Sequence, residues 1–214
     1  MVPAVLALWL TGCETAGLQP IALTSSYQPS NVYLSQATLP ANVRRIAVLP
    51  MACNSQQADM IDGCDALDPI LAAQLVATKK FEVVRVSPEE LERETGQAYW
   101  TGGEALPADF FTELEKNVNC DAVLFCELTE FRPYPPLAVG WRLKLVDAKS
   151  HDIIWAGDEQ FDAGEPAVIA GAVRYERQDQ SELDGEPTGW LTLNSPRDFG
   201  QYTIAQLLST LPAR

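Results

Sequence analysis

The fold is decided at Arg45-Ile46-Ala47-Val48-Leu49-Pro50, where four consecutive apolar residues end at a proline. An apolar run without polar alternation is typical of a strand that is buried on both faces of its sheet. Such strands occur mainly in parallel sheets, because helices cover both faces of those sheets. The stretch therefore predicts the central strand of an α/β domain.

The segments that follow alternate between helical and extended patterns. Residues 67–78 carry apolar side chains at helical spacing, and residues 81–86 alternate with period two. Residues 87–94 begin with Ser-Pro-Glu-Glu, which supplies an N-cap, a proline at the first helical position and a capping-box glutamate. A further helix over 107–118 and a strand over 121–128 complete a parallel βαβαβ arrangement.

The pattern changes in the last third of the chain. Residues 139–146 alternate between apolar and charged side chains, and a polar turn connects them to a second strand over 153–161. This pair is typical of an antiparallel hairpin with one solvent-exposed face. A helix over 165–178, an acidic loop to about Gly189 and a final helix from the capping signal Ser195-Pro196-Arg197-Asp198 follow.

Together these elements predict a single α/β domain over residues 43–214. We expect three layers, with a mixed sheet of about five strands: the parallel βαβαβ unit followed by the antiparallel hairpin. Helices, including one at the C-terminus, pack on that sheet.

The N-terminus predicts export and lipidation. Residues 1–10 form an apolar run that is too short for a bilayer span of about 20 residues and is typical of a secretory signal. Leu10-Thr11-Gly12-Cys13 resembles a bacterial lipobox, which implies a signal peptide over 1–12 and a membrane anchor on lipidated Cys13. No basic residue precedes the apolar run, as expected if the recorded start lies downstream of the natural one. Glu14, rather than Asp, favours the outer membrane. The alternative is a buried N-terminal strand with an ordinary cysteine.

Residues 13–42 predict a lipidated tether. Glu14 is the last charged residue before Arg44, and Ser, Thr, Gln, Asn and Pro are frequent between them. Such a stretch buries too little apolar surface to offset its ordering entropy. The alternative is that residues 32–39 lie along the domain as an extended arm.

Charge and residue types argue against several classes of function. The chain has 15 Lys and Arg against 29 Asp and Glu, a net charge of -14, which excludes nucleic acid as a predicted partner. His151 is the only histidine, and it lies at the predicted hairpin tip. Thr101-Gly102-Gly103 lacks the lysine of a phosphate-binding loop. We therefore predict no catalytic residue, no cofactor and no metal site.

Four cysteines besides Cys13 are available for disulfides in an exported protein. Cys120 and Cys126 lie on one predicted strand about 20 Å apart, too far to be bridged. A bridge from Cys53 to Cys64, closing the loop after the first strand, is the simplest pairing. The rival pairing joins Cys53 to Cys126.

The core segments carry a family resemblance. Residues 45–50, 80–84, 120–125 and 145–148, with Ile154-Trp155, are similar in order and spacing to a periplasmic lipoprotein domain. That domain is shared by curli-assembly channel lipoproteins, the outer-membrane activator of penicillin-binding proteins and the amino-terminal domain of TolB. The resemblance covers about residues 43–161 and implies this fold. It does not imply a pore, because the chain lacks the long hairpins of a curli-type barrel.

One segment predicts a binding surface. In Phe131-Arg132-Pro133-Tyr134-Pro135-Pro136-Leu137, three prolines stiffen the backbone, and Arg132 and Tyr134 are residue types enriched at interface hot spots. Arg132, Tyr134, Pro135 and Pro136 are the candidate partner-binding residues. The alternative is that the prolines only end a strand and Tyr134 packs on the domain. Tyr99-Trp100 and Trp190 are weaker candidates.

These observations predict a noncatalytic lipoprotein that is anchored in the outer membrane, faces the periplasm and docks on or regulates a cell-envelope assembly. Its partner is then an envelope protein whose identity the sequence leaves open. The alternative is a ring-forming subunit of an envelope secretion or motility complex, so the oligomeric state is open as well. An envelope hydrolase is the least favoured alternative.

Overall fold

The computed structural model describes residues 27–53, 55–179 and 189–214. The strands are β1 (Val32–Leu34), β2 (Arg45–Val48), β3 (Ala52–Cys53), β4 (Glu82–Arg85), β5 (Ala122–Arg132), β6 (Ala138–Asp147) and β7 (Ile153–Asp162). The helices are α1 (Ala58–Ala77), α2 (Pro88–Thr95), α3 (Phe110–Val118), α4 (Pro166–Asp179), α5 (Trp190–Asn194) and α6 (Pro196–Leu208). The predicted mixed α/β domain is confirmed, with seven strands in these described ranges rather than about five.

The sheet has the order β1-β7-β6-β5-β2-β4, and β3 pairs with β5 outside this path. β2 lies between β4 and β5 and runs parallel to both. β5, β6 and β7 form an antiparallel meander. The two strands beyond the prediction are the short elements β1 and β3, which lack a recognisable alternation because they have three and two residues.

The burial of β2 on both faces explains why its sequence is continuously apolar. Ile46 and Val48 belong to a core beneath α1, α4 and α6, whereas Ala47 and Leu49 belong to a core beneath α2 and α3. Because successive side chains of a strand point to opposite faces, every residue of this stretch reaches one of the two cores. The three-layer arrangement follows from this double burial.

α1 begins nine residues earlier than the predicted start at Leu67. Its first turns bury Met60, Gly63 and Cys64, while Asp59 and Asp62 remain exposed. The helical face is therefore present there, but small and polar residues make it weakly hydrophobic. That weakness is why the sequence suggested a loop.

Of the two alternatives for residues 32–39, the structure has the packed arm. β1 pairs antiparallel with β7, and the Leu39 amide donates to the Ala213 carbonyl at 2.8 Å. The buried Glu159 carboxylate accepts hydrogen bonds from the Tyr27 hydroxyl and from the backbone amides of Ser30 and Asn31. Residues 27–42 therefore form an arm on the sheet. The predicted signal peptide, Cys13 and the rest of the tether lie outside the described residues.

The two ends of the sheet carry different groups of residues. The entry end comprises the carboxyl ends of β2, β4 and β5, and it includes Tyr27, whose ring centroid lies 4.8 Å from that of Phe161. The far end comprises the amino ends of the same strands together with the C-terminal residues, where Lys80 donates to the Leu211 carbonyl. Among the described residues, no helix combines the length and apolarity required to cross a membrane.

Candidate functional site

The predicted partner segment is the turn of a hairpin. β5 continues to Arg132 and β6 begins at Ala138, so residues 133–137 connect two paired strands rather than leading into a later hairpin. Tyr134 is 68% exposed, so its ring is presented to solvent rather than packed on the domain. We call residues 132–137 the proline turn.

Polar contacts brace the proline turn. The Arg132 guanidinium donates to the Pro136 carbonyl at 2.6 Å and to the Asp162 carboxylate at 2.7 Å. The backbone amide of Gly164 donates to the same carboxylate at 2.7 Å. These bonds, the Gly164 amide foremost, lower the pKa of Asp162 below its ordinary value. Arg132 thus supports the backbone that carries Tyr134, while Pro135 and Pro136 shape it.

A cleft of about 890 Å³ opens at the entry end, between the carboxyl ends of β2 and β4 and the amino ends of α1 and α2. Such crevices are the usual ligand sites of open α/β sheets. Asp68 lies inside it, accepts from the Met51 amide at 3.2 Å and is ion-paired with Arg85. Ile61 and Tyr99 line it as partly exposed apolar groups, 39% and 50% exposed. We call this the entry cleft.

The structure joins Cys53 and Cys64 in a disulfide, with Cα atoms 6.2 Å apart. The bridge connects β3 to α1 and forms a wall of the entry cleft, because Cys64 lies within the helix rather than at the end of a loop. Cys120 and Cys126 are free and buried. Burial raises the pKa of the Cys120 thiol to about 11 and that of Cys126 well above its ordinary value, so both stay protonated at neutral pH.

The other aromatic candidates separate by exposure. Trp100 is buried, and its indole donates to the Thr95 hydroxyl at 2.7 Å, so it belongs to the core. Trp190 is 67% exposed on α5, a short helix that the sequence did not suggest. His151 lies at the hairpin tip as predicted, and it stacks on Phe111 with ring centroids 4.5 Å apart. Within the described ranges, no three His, Cys, Asp or Glu residues are grouped so that they could hold a metal ion.

Sequence reasoning missed the polar residues of the entry cleft, Asp68, Arg85 and Glu104. A signal for two of them was available. Arg85 is the last residue of β4, and Asp68 lies on the helix that precedes this strand. Because the carboxyl ends of parallel strands meet at one edge of the sheet, polar residues there are candidates for a site.

Neither a protein-family model nor a curated protein sequence matches the chain. Solved structures do. The PelC dodecamer from Paraburkholderia phytofirmans matches at a TM-score of 0.51 and 16% identity, over 86% of this chain and 96% of that chain. The lipoprotein GNA1162 from Neisseria meningitidis matches at a TM-score of 0.42 and 19% identity, over 66% and 99% of the two chains. The LpoB C-terminal domain from Escherichia coli matches at 0.36 and 17% identity, over 56% and 84%.

The predicted resemblance to bacterial envelope lipoprotein domains is confirmed as a similarity of fold. It extends beyond the residues 43–161 that suggested it, because the PelC match covers 86% of the chain. At 16% identity the match shows the fold alone.

Proposed function

We propose that this chain is a lipid-anchored, noncatalytic docking module of the bacterial cell envelope, held at the outer membrane through Cys13 and facing the periplasm. The observation that carries the proposal is the proline turn. Tyr134 is a large aromatic side chain held in solvent on a braced backbone. Ordering such a side chain on a partner costs little conformational entropy, which is why rigid aromatic residues are frequent binding anchors.

The position of the arm supports the same proposal. The described chain begins at Tyr27, at the entry end, and the proline turn lies at that end of the sheet as well. A lipidated Cys13 would be connected to the domain beside this docking surface. The lipobox resemblance is consistent with an envelope protein.

The anchor is tested by mass spectrometry of the protein extracted from membranes. We expect the mature N-terminus to be an acylated Cys13, and the Cys13→Ser variant to leave the membrane fraction. A mature chain that begins at another residue would exclude the anchor.

Docking is tested with a photo-crosslinking amino acid at position 134 in intact cells. Tyr33 serves as the control position, since it is an exposed tyrosine on β1, 55% exposed, away from the proline turn. We expect a discrete protein adduct from position 134 that the same probe at position 33 does not give. Equal labelling from both positions, or none from position 134, would argue against docking through the proline turn.

A second candidate function is a subunit of a homo-oligomeric envelope complex. The specific observation is the PelC dodecamer, whose chain is matched over 96% of its length. Light scattering coupled to size-exclusion chromatography separates the two candidates. A monomer at all concentrations favours docking alone, and a defined oligomer favours the subunit.

A further inference from the structure

The far end carries a groove lined by unpaired cations, although the chain is strongly acidic. The groove has a volume of about 620 Å³, and its lining includes Arg44, Lys79, Lys80 and Arg214 together with the apolar Leu39 and Phe81. In the described part of the chain, none of these four cations is ion-paired with a carboxylate. Most other cations there are paired, namely Arg45, Arg85, Arg93, Lys116, Arg132, Arg142 and Lys149. We call this the basic groove.

Two of the four cations form hydrogen bonds that hold the fold together, and in the described ranges the other two form none. Lys80 donates to the Leu211 and Pro212 carbonyls at 2.6 and 2.9 Å, and Arg214 donates to the Lys80 carbonyl at 2.9 Å. These bonds hold the C-terminus against the sheet. The side chains of Arg44 and Lys79 make no hydrogen bond or ion pair among the described residues.

The negative groups beside the groove do not neutralise it. Glu82 lines it but is paired with Arg45 at 3.3 Å, and the nearby Asp121 carboxylate accepts from the backbone amides of Arg44 and Arg45 at 2.9 Å. The groove therefore keeps net positive charge in a chain whose total is -14. Four cations around one concavity focus a field that attracts an anionic partner.

An acidic counterpart lies at the opposite end of the molecule. Asp59, Asp62 and Asp65 are exposed on the first turns of α1, spaced three residues apart, so they share one side of the helix. Ile61 lies among them and is 39% exposed. No basic residue occurs anywhere in α1. We call these four residues the acidic helix end.

We propose that the basic groove binds the acidic helix end of a second copy of this chain, in a head-to-tail contact. The cations of the groove meet the aspartates, and Ile61 packs against the apolar lining of the groove at Phe81. The inference rests on the second candidate function, since it names the contact through which copies associate. Each copy keeps one free groove and one free helix end, so the contact propagates into a closed ring or an open filament.

A second copy fits the groove better than a lipid surface does. The described chain enters the domain at Tyr27, at the entry end, and the basic groove lies at the far end. The 11 residues of β5 separate these ends by about 35 Å. An anchor that arrives at the entry end therefore favours that end, rather than the groove, as the side that faces the membrane.

The test uses the purified full chain in detergent and two charge-reversed variants. The groove variant carries Arg44→Glu and Lys79→Glu, which leave the structural cations Lys80 and Arg214 in place. The helix variant carries Asp62→Lys and Asp65→Lys. The control variant carries Arg177→Glu and Arg197→Glu, two exposed cations outside the groove, and changes the net charge as the groove variant does. Thermal melts check that each variant folds.

Sedimentation velocity and light scattering then report association. We expect the wild-type chain to self-associate, and to do so less strongly when salt is raised from about 50 to about 500 mM. Each reversed variant alone should associate at least about tenfold more weakly, the control should match wild type, and an equimolar mixture of the groove and helix variants should recover association.

Three results would overturn the contact. A wild-type chain that remains monomeric at low salt and about 200 μM excludes it, given that physiological homo-oligomers form well below this concentration. An oligomer that neither reversal weakens would keep the second candidate function and refute this interface. Folded variants that lose association without recovering it in the mixture would show that the two surfaces are not each other's partners. Crosslinking at position 134 tests docking independently of all three.

Discussion

Replacing Glu159 with alanine should loosen the first part of the arm and destabilise the domain. Glu159 is 6% exposed, and its carboxylate accepts from the Tyr27 hydroxyl and from the backbone amides of Ser30 and Asn31. These three hydrogen bonds hold the first described residues of the chain against β7. A side chain that can accept none of them leaves the first part of the arm with the short pairing of β1 to β7, the bond from the Tyr27 amide to the Ala167 carbonyl and the ring contact of Tyr27 with Phe161.

The magnitude follows from the number and setting of these bonds. A hydrogen bond to a charged acceptor contributes about 1.5–3 kcal/mol when its loss leaves a buried donor unsatisfied. Ser30 and Asn31 are exposed, so their amides regain water when the carboxylate is removed, and about 1 kcal/mol per bond is the better figure. The variant also removes a costly buried charge, which offsets part of the loss. We expect a net loss of about 2–3 kcal/mol, or about 5–10 °C in Tm for a domain above 150 residues.

Chemical denaturation and hydrogen exchange test the two parts of this prediction. The Glu159→Ala variant should lose unfolding free energy, and the amides of β1 should lose their protection before those of β2. Glu130→Ala is the matched control, because among the described residues this carboxylate on β5 accepts a single, exposed bond, from the Gln160 side chain. We expect it to cost less than about 0.5 kcal/mol. A Glu159→Ala variant as stable as the control, with protected β1 amides, would refute the role assigned to Glu159.

Three further measurements address the core, the disulfide and pH. Gly171→Ala should lower the free energy of unfolding by about 2–3 kcal/mol in urea denaturation, because the added methyl group would overlap the buried Tyr202 hydroxyl. Gly103→Ala is the control and should be near neutral, because Gly103 has open space around it. Equal effects of the two substitutions would contradict the packing described. Changing Cys53 and Cys64 to serine should lower the free energy of unfolding by about 2–3 kcal/mol, because the unfolded chain gains loop entropy. Reductant should lower the urea midpoint of the wild-type protein to that of the variant. A wild-type midpoint that does not change with reductant, although the thiols are shown to be free, would count against the bridge. Burial, and after it the hydrogen bond to Glu159, raises the pKa of Tyr27 above its ordinary value. The folded state therefore holds this proton more tightly than the unfolded state does. The resulting stabilisation is complete below about pH 10, the ordinary tyrosine pKa, and is lost as the pH rises above it. Tyr27→Phe should therefore flatten the alkaline decline in Tm, although not abolish it because the pKa of Tyr202 is raised by burial as well.

The long, strongly patterned elements of the fold were predictable from the sequence. β2 was identified because its residues 46–48 are all buried, on one face or the other, and are therefore all apolar. α2 was identified because Ser87 accepts from the Glu90 amide, as its capping sequence indicated. The alternation in β6 correctly placed Trp141 and Leu143 in the core and Arg142 at the surface. In each of these elements, local preference and tertiary burial agree.

The arm and the entry cleft were not predictable in the same way. The stabilising partner of residues 27–31 is Glu159, more than a hundred positions along the chain, and nothing in their own composition shows it. The cleft similarly depends on how the first turns of α1 and α2 meet the carboxyl ends of β2 and β4. α5 has five residues, and its first turn is capped by the buried Glu176, which accepts from the Gly189 and Thr192 amides. A short helix that depends on an acceptor so far away in the sequence shows no apolar periodicity of its own.

The arm also changes how far a lipid anchor would allow this domain to act. If residues 14–42 were all extended, they would span about 95 Å. Residues 27–42 are fixed to the sheet, however, so only residues 14–26 remain, and these span at most about 45 Å. The proline turn, at the entry end, would then work within about 45 Å of the anchoring membrane. The basic groove, about 35 Å away along β5, would reach farther into the periplasm. In the proposed contact, the groove at the far end would hold the acidic helix end of the next copy, so docking through the proline turn would leave the groove free. The acidic helix end of the same copy shares the entry end with the proline turn, and a docked partner would lie beside it.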